Sequence, residues 1–158
     1  MWHVMTFTIL FALTIGYALW RGGAPERLAA LTLLVASVAT MVVAPAWHWV
    51  SNGVDYGVFM VDLVTFAALV AIALHANRFW PIWLSATHGL ALLGHLSVAF
   101  APEIKQIFYA AMVMASAWPG LALLAIGTHR HHRRISAGQP DPAWTRFTNN
   151  ERPALAIG

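Results

Sequence analysis

Long apolar stretches broken by short polar interruptions run through most of this chain. Five of them are long enough to cross a hydrocarbon core of about 30 Å, which takes roughly 20 residues at the rise of an α-helix. The pattern predicts helices over about residues 2–20, 27–44, 54–74, 80–100 and 103–128. Each break has a local cause. Gly22, Gly23 and Pro25 end the first stretch, and Pro25 with Glu26 suits the first turn of the next. Pro45 ends the second, followed by Trp47, His48 and Trp49 and a Ser51-Asn52-Gly53 turn. Ala76-Asn77-Arg78 joins the third to the fourth, and Pro102-Glu103 opens the fifth.

Composition turns these helices into membrane spans. Of the 158 residues, 59% are hydrophobic and only 9% charged, against roughly 45–50% and 25% in soluble domains. Nine Lys+Arg and six Asp+Glu cannot wet the surface of a folded domain this size, so most of that surface faces lipid. The expected fold is an all-α integral membrane protein, a compact bundle of five transmembrane helices. The chain has no cysteine, which excludes disulfide frameworks, thiolate zinc sites and thiol nucleophiles together.

Orientation follows from the arginines, because Lys and Arg near span ends stay on the cytoplasmic side. With five spans, Arg21, Arg27, Arg78, Arg130, Arg133, Arg134, Arg146 and Arg152 share one face, and Lys105 alone falls on the other. The expectation is N-terminus outside and C-terminus cytoplasmic, in a plasma membrane of the bacterial inner-membrane kind. The first stretch lacks a basic leader and a small-residue cleavage site, so it reads as a span and not a signal peptide. Residues 1–134 form the transmembrane domain. Residues 135–158, polar and carrying Pro140, Pro142 and Pro153, read as a flexible cytoplasmic tail.

Ionisable groups inside a span cost several kcal/mol on contested scales of about 2.5–3.5 and upward, so each raises a functional question. Asp62 sits roughly 10–12 Å inside the third span, with Asp55 one heptad nearer the surface. On the fourth, Ser85, His88 and His95 make one polar stripe. Counted inward from the outer ends, Asp62 and His95 lie at similar depth, which predicts a hydrogen bond between them. Asp62, His88, His95 and Ser85 are therefore the candidate site, either a polar path for protons or a small ligand or a structural clamp between helices worth about 1–2 kcal/mol.

Other chemistries have weaker footing. Axial ligation of haem or a chlorophyll-type pigment falls to His88, His95 or His75, but no two of them lie at matching depth on different helices. No cofactor is otherwise expected. No HExxH or other metal spacing occurs, and no GxSxG elbow, phosphate loop or dinucleotide fingerprint. The run from His129 to Arg134 reads as a juxtamembrane basic cluster. In it Arg130, Arg133 and Arg134 attract anionic lipid at the cytoplasmic face, at about 1 kcal/mol each. Six residues make no nucleic-acid surface.

Tryptophans at 2, 20, 47, 49, 80 and 83 form the interfacial belt, whereas Trp118 lies mid-span beside Pro119, where a kink is expected. Ala36, Ser37, Thr40, Ala44, Gly89 and Gly94 allow close helix contact. The leading reading is a small non-enzymatic membrane subunit working through helix contacts in a homo-oligomer or with other membrane subunits. A proton-, ion- or ligand-handling membrane protein and a haem- or pigment-binding redox subunit are the alternatives.

Overall fold

The computed structural model describes residues 2–46, 50–51, 54–100 and 105–145. Among these the chain is all-helical apart from one tiny hairpin. The helices are α1 (Trp2–Arg21), α2 (Ala24–Ala46), α3 (Tyr56–His75), α4 (Trp80–Phe100) and α5 (Lys105–Ser136). Strands β1 (Val50–Ser51) and β2 (Val54–Asp55) pair antiparallel between α2 and α3, with Val50 opposite Asp55. Trp47, His48, Trp49, Asn52, Gly53, Pro102, Glu103, Arg146 and Arg152 lie outside the described residues.

Helix ends differ from the sequence reading where side chains take over the capping. α2 starts at Ala24, three residues early, because the Glu26 carboxylate accepts the Gly23 amide at 3.0 Å and satisfies a helix-start donor. α3 starts at Tyr56 and not Val54, because Asp55 is its N-cap: Oδ1 accepts from the amides of Gly57 (3.0 Å) and Val58 (3.2 Å). Asp55 thus serves the helix end and does not extend a stripe to Asp62. α5 runs unbroken through Pro119 and two turns past Thr128. Threonines sit in these apolar helices by bonding back to carbonyls one turn earlier, as Thr65 does to Val61 and Thr128 to Leu124.

Tight packing gathers at one end of the bundle. The buried core of Ile15, Ala18, Ala29, Ala30, Leu69, Ile72, Leu84 and Leu124 comes from the close of α1, the start of α2, the close of α3, the start of α4 and the second half of α5. All five stretches lie toward the arginine-bearing end. Small residues permit it: Ala18, Ala29 and Ala30 have no exposed surface, so the α1–α2 turn backs directly onto its neighbours. The exterior is apolar, with Val4, Leu13, Val35, Met41, Val64 and Leu74 all well exposed.

Among the described residues three helices are long and apolar enough to cross a membrane: Val4–Arg21 of α1, Ala24–Ala46 and Tyr56–His75. Helix α4, 21 residues long, carries His88 and His95, and α5, 32 residues long, carries the basic cluster. An apolar exterior with spanning-length helices is the signature of a membrane protein.

The segment expected to be loose from Ile135 is structured as far as Thr145. Helix α5 continues to Ser136, and residues 139–145 fold back onto the α3–α4 connection. Asn77 N donates to Ala143 O (3.1 Å), Thr145 N to His75 O (2.9 Å), and Ala76 pairs with Trp144 as an antiparallel bridge. The connection between α3 and α4 has backbone groups that neither helix satisfies, and this segment supplies their partners.

Candidate functional site

Asp62, His88 and His95 come together where α3 and α4 run alongside each other. Gly89 lets the two helices approach, since a β-carbon there would stand 3.3 Å from the Phe66 ring. Asp62 Oδ2 accepts a hydrogen bond from His95 Nε2 at 3.0 Å, the pair that counting along the helices predicts. His95 is buried, and the Phe59 ring meets its imidazole edge to face at 5.7 Å. These contacts fix the ring, with its Nε2 proton directed at the carboxylate.

His88 stands differently. Its Nε2 lies 3.9 Å from Asp62 Oδ1, beyond hydrogen-bond distance, and this buried nitrogen has no hydrogen-bond partner among the described residues. Asp62 and His88 both line a cavity of about 280 Å³ to which α1, α2, α3, α4 and α5 all contribute, with Phe7, Thr40, Thr87 and Ser116 among its walls. The carboxylate thus holds one imidazole firmly and stands 3.9 Å from the Nε2 of a second, and both Asp62 and His88 line the cavity.

Ser85 does not join them. Its hydroxyl is buried and donates to Ile82 O at 2.9 Å, a local bond within α4. The hydroxyl-bearing residues that line the cavity are Thr40, Thr87 and Ser116, of which Thr87 bonds Leu84 O at 2.9 Å. His75 ends α3, exposed, with Nδ1 2.8 Å from Ala71 O, away from this cavity. Among the described residues no three His, Asp or Glu side chains converge as a metal site requires.

A second cluster, which the sequence reading did not assemble, closes the arginine-bearing end. Glu26, with no exposed surface, accepts from Arg78 Nη1 (2.7 Å) and Trp80 Nε1 (3.1 Å) on Oε1, and from the Gly23 amide on Oε2. Arg78 turns its other terminal nitrogen to Asp141 Oδ2 at 2.9 Å. His131 Nδ1 stands 2.7 Å from the same oxygen, and Arg134 Nη1 3.1 Å from Oδ1. Two carboxylates face two guanidiniums and an imidazole, a balance that lets charge stay buried.

His131 Nδ1 is also 3.1 Å from Arg78 Nη2. One nitrogen cannot donate to Asp141 and accept from Arg78 at once, and the shorter contact to a charged acceptor places its proton toward Asp141. Burial pushes the Asp141 carboxyl up, but the His131 hydrogen bond, the Arg78 charge and the Arg134 hydrogen bond outweigh it and hold the group below its ordinary value. The signal for this cluster was present in the sequence. Glu26 and Asp141 fall on the same side as most of the arginines, and acids left among cations at a span end invite pairing.

Arg130 and Arg133 are exposed at the last turns of α5, beside Arg134. Compared with protein-family models, curated proteins and solved structures, the chain matches none.

Proposed function

We propose that this chain is a non-enzymatic membrane subunit of five transmembrane helices whose Asp62–His88–His95 cluster binds and exchanges protons inside the bundle. The observation that carries this reading is the buried His88 Nε2, without a hydrogen-bond partner among the described residues and 3.9 Å from the carboxylate that holds His95. A clamp needs only Asp62 and His95. A second imidazole 3.9 Å from the same carboxylate, beside a cavity that both residues line, is an arrangement in which a proton has somewhere to go. Nitrogen-15 shifts of the two histidines, followed against pH, test it: His88 changes protonation state and Asp62→Asn alters that change. Two imidazoles frozen across the whole range refute it.

In this reading the N-terminus lies outside and the arginine-bearing end faces the cytoplasm of an inner-membrane-type bilayer. The Glu26–Arg78–Asp141 cluster then lies at the cytoplasmic end. A periplasm-only reporter fused after Gly158 stays silent, and activity there overturns the orientation.

A second reading rests on a separate feature. Helices α2 and α3 flank an apolar groove of about 810 Å³ with Ala36, Ala39, Gly57 and Ala68 among its walls. Small residues there suit close approach of a helix from a second copy. Cross-linking through a cysteine introduced by Ala39→Cys yields dimers if that copy occupies the groove.

A further inference from the structure

Beyond the apolar part of α5 the helix continues through arginines and histidines and then reverses. Ala137 N bonds Arg133 O (3.0 Å), Gly138 N bonds Ile135 O (3.0 Å) and Gln139 N bonds Arg134 O (3.0 Å). Gly138 takes φ +69°, the left-handed turn that ends many helices. The reversal returns Gln139 to the last turn, where Arg130, Arg133, Arg134, Ala137 and Gln139 line a pocket of about 240 Å³.

Charge in this pocket is uncompensated from within. Asp141 holds Arg134 through Oδ1, and its Oδ2 is already shared by Arg78 and His131. Arg130 and Arg133 make no ion pair with the described residues. Guanidiniums three and four residues apart on one helix repel each other unless an anion lies between them. The negative end of a helix opposes an anion, but the carbonyls of Arg133, Arg134 and Ile135 are engaged by the returning amides. Ile126, 54% exposed, stands one turn before Arg130 on the same face, so the pocket lies where an apolar exterior gives way to cations.

We propose that Arg130, Arg133, Arg134 and Gln139 bind the phosphate group of an anionic ligand, with the headgroup of an anionic phospholipid as its source. Guanidiniums match phosphate oxygens in pairs, and the Gln139 amide adds a neutral donor. The tail segment is part of the site, because its turn places Gln139 and its Asp141 orients Arg134. This is a built pocket, which differs from the diffuse attraction of any basic run.

The test uses the full chain, reconstituted in phosphatidylcholine bilayers containing phosphatidylglycerol, extracted in mild detergent and weighed by native mass spectrometry. The wild type retains phosphatidylglycerol over phosphatidylcholine. The double variant Arg130→Gln/Arg133→Gln loses that preference by about tenfold or more, and Arg130→Lys/Arg133→Lys keeps part of it. Arg21→Gln, which removes an exposed arginine at the end of α1, leaves it unchanged. Equal retention of both lipids in the wild type, or an equal loss in Arg21→Gln, overturns the proposal. Excess inorganic phosphate separates the sources: lipid retention that withstands it assigns a membrane headgroup, whereas displacement with a phosphate adduct in its place assigns a soluble phosphate.

Discussion

The indole of Trp80 lies so close to Gly127 that a β-carbon at 127 would stand 2.8 Å from three of its ring atoms. The ring is not free to swing away, because its Nε1–H is held by the buried Glu26 carboxylate at 3.1 Å. Through this contact α4 lies directly on α5, and the charged cluster at the bundle end fixes the distance between them. Gly127→Ala therefore forces a shift of helix or ring and costs about 1–3 kcal/mol. Gly120→Ala meets the flexible end of Leu84 at 3.3 Å and costs less. Thermal unfolding of both variants in detergent checks the order, and equal melting temperatures would refute it.

The docked segment should be releasable by acid. The Asp141 carboxyl is held below its ordinary value in the fold, so the folded protein binds fewer protons there than the unfolded chain. Its contribution is complete above the usual carboxylate range and fades as pH falls through the depressed folded value. The chain has no cysteine, so a nitroxide attached after Pro142→Cys reports on this segment alone. The label is immobile near neutral pH and becomes mobile in strong acid, and with Asp141→Asn it is mobile at both. An immobile label in the Asp141→Asn protein contradicts the docking.

What the sequence disclosed depends on how local each feature is. Five helices could be read from runs of apolar residues, because each stretch carries its own breakers. Their ends fall within a few residues of the observed places except at the close of α5, where the helix runs two turns past the apolar run into the arginines and histidines. The Asp62–His95 pair could be read too, since a short connection makes α3 and α4 a hairpin and depth along each helix is simple counting. Ser85 was misplaced because a serine in a helix satisfies itself on the preceding turn, which periodicity does not register. The Arg78–Asp141 pair joins residues far apart along the chain and depends on a tail that turns back at Gly138. Arg78 was legible only as a topology charge, and the prolines of the tail pointed to disorder.

The same site predicts that no tetrapyrrole is held. Its cavity, about 280 Å³, falls just below the roughly 300–1,000 Å³ usual for drug-sized ligands, and His95 Nε2 is committed to Asp62. The purified protein, expressed where haem and pigment are supplied, should be colourless both oxidised and dithionite-reduced. A Soret or long-wavelength band would instead make His88 an axial ligand.

Protons that exchange at Asp62 and cross the bundle register as flux through the reconstituted protein. Wild-type chain in sealed vesicles given a pH step and a potassium diffusion potential should dissipate the gradient faster than protein-free vesicles. Asp62→Asn, confirmed as folded by an unchanged elution profile and a melting loss of no more than about 1–2 kcal/mol, should fall to the protein-free rate, with His88→Gln close behind. A wild type no faster than empty vesicles, or an Asp62→Asn protein as fast as the wild type, would contradict the account and leave the cluster a clamp between α3 and α4.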